Sequence, residues 1–441
     1  MTLIIRNGVH SLAIDPFLSI DGRPIRVLGP TDVYKYLGIS FTPVEVRKTA
    51  FEKLSSVLSN VSRAPLKPQQ RLRMLRQNVV PKVLHELSLT HASVAYLRRI
   101  DRLVRSCVRR WLRLPLDTPL GFFHAPIREG GLGIASLLLT APIHRRRRFL
   151  KVGASTDPCV QAVSSDESTW QWVHDMWAKP VPRFRGQTST STSEVKRVLA
   201  EDLHSAIDGR GLARASLVPQ AHHWLTHAER FNQTAAAFRA CVKLRGNLLA
   251  TNSRGARGRA GADRLCPADL QPETLNHIVQ HCNRAHGLRV LRHDRVQNFL
   301  VGKLRREGWL VESEPVIRTS EGLRKPDCIA FDPGTGNAWV LDSQVCSEQA
   351  DPDMVFQTKV DKYSKPEISR FARLLFPEAR EVLFGAFIVS WRGIIAPRTA
   401  ELLRSFRLRH VLPLVSLIAL EGGVKIWRAH RDATWVAPPR R

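Results

Sequence analysis

The chain has 441 residues, enough for roughly two to four domains that each bury a core, and too many for a single small module. Lys and Arg number 67 against 39 Asp and Glu, a formal charge of +28, while a hydrophobic share of 43% is that of an ordinary folded protein. An excess this large repels itself until a polyanion neutralises it, so the composition points to a nucleic-acid partner ahead of an anionic membrane.

From the start of the chain, residues 1–42 alternate apolar and polar positions around turn signals. Asp21-Gly22 between Leu18-Ser19-Ile20 and Ile25-Arg26-Val27-Leu28 predicts a β-hairpin. The opening Met1–Asn7 is too short an apolar run for a signal peptide. From Pro43 the apolar spacing becomes helical: Leu97, Ile100, Leu103, Val104, Cys107, Val108 and Trp111 share one face and arginines fill the other, which predicts a basic amphipathic region over 43–150. Gly130-Gly131-Leu132-Gly133 interrupts it, and His144-Arg145-Arg146-Arg147-Arg148 adds a dense positive run.

Residues 151–262 read as a helical, basic linker, Ser- and Thr-rich around Thr188–Ser193, with a flexible stretch expected over Arg254–Gly261. A compact Cys/His segment occupies 263–287. Over 288–441 the pattern alternates: a helix near 288–306, strands near 309–316, 327–332 and 338–346, a helix near 353–374, a strand near 382–391, a helix near 397–408 and a strand near 411–419. Leu412–Leu420 is too short to span a bilayer, so no membrane partner is expected. The fold class that follows is multi-domain α+β, with mostly helical front regions and an α/β carboxy-terminal domain built on a mixed sheet.

The most informative residues lie in that last domain. Lys325-Pro326-Asp327 is followed by Asp342 and then Lys359, with Gly334–Asn337 as the turn between two short strands. Such a hairpin can bring both carboxylates to one end of a sheet, where hard oxygen ligands suit Mg²⁺ or Mn²⁺. Lys359, Lys362 and Tyr363 fall at i, i+3 and i+4 of the next predicted helix and share a face. Asp332, in the same hairpin, reads as a turn former.

Taken together, the Pro-Asp, Asp and Lys arrangement resembles the restriction-endonuclease-like superfamily. The basic residue before Pro-Asp and the Lys-x-x-Lys-Tyr helix resemble the endonuclease of site-specific non-LTR retrotransposons of the R-two type, which insert into ribosomal RNA genes. The resemblance implies catalytic roles for Asp327, Asp342, Lys359, Lys362 and Tyr363, with the ion held by Asp327 and Asp342. Asp342-Ser343-Gln344 departs from the wider superfamily in lacking a lysine two positions after the acid; the resemblance places that lysine at Lys359. Cys266, Asp269, His277 and Cys282, spaced x2, x7, x4, resemble the Cys-Cys-His-Cys zinc knuckle that precedes this endonuclease. The second cysteine is absent, and Asp269, His281 or water could fill its place on zinc. The seven cysteines, odd in number and scattered, otherwise suit a reducing compartment.

Arg292-His293-Asp294 resembles a basic segment of the family, which implies nucleic-acid contact for Arg292 and His293, alongside Lys325. Tyr36-Leu37-Gly38-Ile39 resembles the stretch just past the polymerase palm of a non-LTR reverse transcriptase, and 43–150 its thumb. Residues 1–35 carry no paired aspartates of the polymerase type, so the expectation is the carboxy-terminal part of a longer polyprotein. What the resemblance implies is a nuclear enzyme that nicks target DNA to prime reverse transcription of the element's RNA by an RNA-directed DNA polymerase. The alternative is a nucleic-acid-binding module whose nuclease has decayed.

Overall fold

The computed structural model describes residues 3–6, 9–12, 18–25, 32–42, 46–90, 92–167, 171 and 182–434. They form two compact units that interleave along the chain: Met1–Leu66, Arg71–Trp111 and Ile134–Val198 make one, and Lys67–Gln70, Leu112–Gly133 and Leu199–Arg441 the other.

In the first unit, Ser19–Ile20 pairs antiparallel with Arg23–Pro24. Asp21 and Gly22 both take positive φ, 51° and 75°, which gives the mirror-type turn that Asp-Gly favours. The expected continuation through Arg26–Leu28 lies outside the described residues. Tyr34–Tyr36 and Ile39–Phe41 form a second hairpin, so Tyr36-Leu37-Gly38-Ile39 is the turn between two strands. Of the amphipathic face on helix Val94–Leu112, Leu97, Ile100, Val104, Cys107, Val108 and Trp111 are buried, while Arg98, Arg99, Arg102 and Arg110 are exposed. Asp101, also buried, accepts from Ser136 Oγ (2.6 Å) and the Leu137 amide (2.8 Å), capping helix Leu137–Gly153 from a distant part of the chain. That helix carries the run His144–Arg148 and splits it between faces: Arg145 is buried, Arg146 and Arg147 are exposed.

The second unit ends in a three-layer α/β/α domain. Its elements are α1 (His286–Arg306), β1 (Leu310–Ser313), β2 (Ile317–Thr319), β3 (Gly322–Arg324), β4 (Cys328–Asp332), β5 (Asn337–Cys346), α2 (Pro352–Tyr363), α3 (Pro366–Leu375), β6 (Glu381–Ser390), α4 (Pro397–Ser405) and α5 (Leu412–Thr434). The main sheet runs β6-β5-β4-β1, mixed as expected, because β5 and β6 are parallel and the other pairs antiparallel; β2 and β3 form a separate hairpin. Alternation in β4 and β5 sends Cys328, Ala330 and Leu341 to one core with α1, α4 and α5, and Ile329, Phe331, Ala338 and Val340 to the other with α3 and Tyr363. The helix expected over 353–374 is two, because Pro366 cannot donate the amide that would continue α2.

Two expectations are corrected. The strand near 411–419 is the start of helix α5, whose apolar residues are buried nearly all round because it lies inside a core. Arg409–Ala433 is long and apolar enough to cross a bilayer by composition, yet 72% of its apolar window is buried in the fold. Close packing on α1 fixes α5: a Cβ on Gly422 would stand 2.4 Å from Arg292 Cγ. Nor is Arg254–Gly261 a free basic stretch, because Arg254 and Arg257 each form an ion pair at 2.7 Å with the buried Asp208.

Candidate active site and metal centre

The register of β4 and β5 pairs Cys328 with Leu341, so one step further Asp327 and Asp342 face each other across the two strands. Asp342 is 4% exposed, and its Oδ2 lies 2.6 Å from Lys359 Nζ on α2. Burial, and after it the charge of Asp327, push the Asp342 carboxyl above the ordinary aspartate range, against the opposing pull of Lys359 and Tyr363. Lys359 is the one cation paired with Asp342 among the described ion pairs. Asp332, by contrast, closes the hairpin: its carboxylate accepts from the Gly334 amide and the Thr335 hydroxyl, each at 2.9 Å.

The helix face of Lys359, Lys362 and Tyr363 divides. Tyr363 is buried in the core below the sheet, and its hydroxyl donates to the Lys325 carbonyl at 3.1 Å beside Asp342. Lys362 stays exposed with Nζ 4.8 Å from the Tyr363 ring centre. Lys325 is likewise exposed, paired at 2.7 Å with Glu314.

Helix α1 supplies what the sequence reading placed elsewhere. His293 Nε2 lies 3.1 Å from Asp327 Oδ2 and 3.1 Å from the Ser343 carbonyl. The hydrogen bond with Asp327, partly offset by burial, raises the imidazole to about 9. The Ser343 amide donates to the same Asp327 oxygen at 2.6 Å, and the Ser343 hydroxyl donates to buried Gln297. His293 therefore belongs to the Asp327 constellation. Arg292 does not meet solvent: it is 3% exposed, with its guanidinium against Gln280, because Gly422 of α5 covers its stem. Sequence reasoning missed Gln297 and Ser343; Gln297 stands at i+4 from His293 on one helix face, which is the signal available. His293, Asp294, Gln297, Ser313, Glu314 and Asp327 line a cleft of about 340 Å³.

A second cluster lies at 266–282. Cys266, Asp269, His277 and Cys282 bring their ligand atoms within 4.8 Å of one another. Cys266 Sγ and Cys282 Sγ are 3.9 Å apart, close to the edge of about 3.8 Å that tetrahedral zinc–sulfur bonds impose. His277 Nε2 is 3.2 Å from Asp269 Oδ1, inside the same cluster. The turn that presents Asp269 is made by Leu270 at positive φ (57°), with the Leu270 amide donating to the Cys266 carbonyl at 2.8 Å. Burial pushes the Cys266 thiol up to about 11, so a cation that takes the sulfur must displace a proton. Two sulfurs, a neutral ring nitrogen and a carboxylate fit zinc. His281 is exposed and outside the cluster, and His430 of α5 approaches it unannounced by any local motif, its Nε2 3.3 Å from Cys266 Sγ.

No protein-family model matches the chain. Curated relatives do. It is 35% identical to the Pol polyprotein of type-2 retrotransposable element R2DM from Drosophila melanogaster, over 85% of this chain and 35% of that protein. To the Pol polyprotein of type-1 retrotransposable element R2 from Nasonia vitripennis it is 35% identical, over 88% and 36%. An R2 Pol polyprotein from Popillia japonica is 32% identical over 85% of this chain and 76% of its own length. The class is thus that of retrotransposon Pol polyproteins. Within it, the chain belongs to the R2 family, and it spans about a third of the length of the first two relatives.

Proposed function

We propose that the α/β/α domain is a restriction-like, metal-dependent DNA endonuclease that nicks target DNA and so supplies the end from which reverse transcription is primed. The observation that carries this is the pairing of Asp327 and Asp342 across β4 and β5 with Lys359 at 2.6 Å from the buried acid. A divalent ion, Mg²⁺ or Mn²⁺, would be held by Asp327 and Asp342 and would supply stabilisation of charge on the phosphate. In this reading Ser343 and His293 fix the Asp327 carboxylate, Tyr363 anchors the Lys325 loop beneath Asp342, and Lys359 brings a charge to the phosphate once its own partner is engaged. The exposed Lys325 and Lys362 contact the backbone of the nucleic acid.

The whole polyprotein's target is proposed to be ribosomal RNA gene DNA, in the nucleus, with the element's RNA as template, and the cluster at 266–282 is proposed to hold zinc. The front helices, with Arg98, Arg99, Arg102 and Arg110 exposed, suit backbone binding of either nucleic acid. The test is nicking of supercoiled DNA with Mg²⁺ or Mn²⁺. Asp327→Ala and Asp342→Ala are expected to abolish nicking and leave DNA affinity largely intact, while Asp332→Ala keeps it. Equal damage from Asp332→Ala, with unchanged circular dichroism, would displace the assignment.

A further inference from the structure

We propose that His430, near the end of α5, is the outer partner of the metal at 266–282, donating Nε2–H to the Cys266 thiolate and latching the carboxy-terminal helix to that site. The inference rests on the zinc reading given above and extends it to a residue 164 positions from Cys266. Nε2 stands 3.3 Å from Cys266 Sγ, within reach of an N–H···S bond, and both residues are buried, at 4% and 0% exposure.

The donor set explains why such a partner is needed. Two thiolates and one carboxylate around a doubly charged ion leave a net negative site, and Cys266 and Cys282 are fully buried, where uncompensated charge is costly. An N–H donor to one sulfur offsets that charge without occupying a coordination position. A rival set, Cys266, Glu273 and His430, also converges within 4.8 Å. It has one sulfur only, against two in the set of Cys266, Asp269, His277 and Cys282. Direct ligation therefore falls to Cys266, Asp269, His277 and Cys282, and His430 acts from outside.

Cobalt(II) titration of the full chain separates the possibilities, because thiolate-to-cobalt absorption counts sulfurs and the visible ligand-field bands report the coordination set. The wild type should show two thiolates. His430→Ala should bind cobalt and zinc roughly tenfold to a hundredfold more weakly, with the same bands at saturation. His430→Gln, whose amide N–H can reach the sulfur, should recover much of that loss, and it remains informative should the alanine variant fold poorly. Zinc should slow amide exchange at the end of α5 in the wild type and not in His430→Ala. Unchanged affinity in both variants overturns the latch, and altered bands at saturation overturn it by making His430 a ligand. A wild type whose bands ignore Cys266→Ala with Cys282→Ala removes the zinc reading and the latch with it.

Discussion

The cluster at 266–282 and the carboxylate pair at 327 and 342 lie in the same compact unit and answer opposite chemical demands. The first gathers two sulfurs, an imidazole and one carboxylate within residues 266–282, a turn followed by the helical segment His277–His281, with both cysteines fully buried. Four donors close a tetrahedron, so such a site suits structure. The second sets two carboxylates across adjacent strands, one of them bordering a cleft of about 340 Å³. In the proposed reading, two protein ligands would leave coordination positions open for a substrate. The first draws its four donors from one short stretch of chain, whereas the second depends on strand register and on helices α1 and α2.

That contrast can be broken at several points. The largest effect after loss of either acid is expected for Lys359→Ala, which should lower the nicking rate about a hundredfold or more by removing preorganised positive charge; single-turnover rates at saturating DNA check this. Lys362→Ala and Tyr363→Phe should cost less, because Lys362 is exposed and the Tyr363 ring keeps its place in the core.

A smaller change is expected at the closed site. Asp269→Cys should tighten zinc about tenfold or more, since thiolate is the softer ligand; competition with a chromophoric chelator measures it. Unchanged binding would mean that position 269 is not a ligand.

The smallest effect concerns pH. His293 is raised in the folded, metal-free chain to about 9 by Asp327, above its unfolded value of about 6.5. A raised folded value means that the stabilisation is fully present below the unfolded value and is lost as pH rises through about 9. The difference in melting temperature between wild type and His293→Ala, measured without metal, should therefore shrink from neutral pH to above about 9. A difference that grows with pH would reverse the assignment.

What the sequence made legible follows the same division. The resemblance to a zinc knuckle singled out Cys266, His277 and Cys282, with Asp269 as one of several candidates for the fourth place, and these four converge because they lie on one short stretch of chain. The β4–β5 hairpin was also legible, since Gly334–Asn337 dictates its turn and alternation its faces. Long-range packing was not. The run at 411–419 looks like a buried strand because a helix inside a core loses its polar face, and only contact with α1 at Gly422 distinguishes the two. The same contact buries Arg292, whose charge read as a DNA contact, and brings His430 to Cys266. His293 faces Asp327 because α1 passes beside the start of β4, a fact of tertiary placement.

Anomalous diffraction from crystals of the full chain soaked in Mn²⁺ tests the proposed nuclease centre most directly. A manganese peak is expected at about 2.1 Å from a carboxylate oxygen of both Asp327 and Asp342, with Lys359 Nζ moved off Asp342. A chain that binds manganese only elsewhere, with Lys359 still paired to Asp342, would contradict the assignment of these two carboxylates as the metal site.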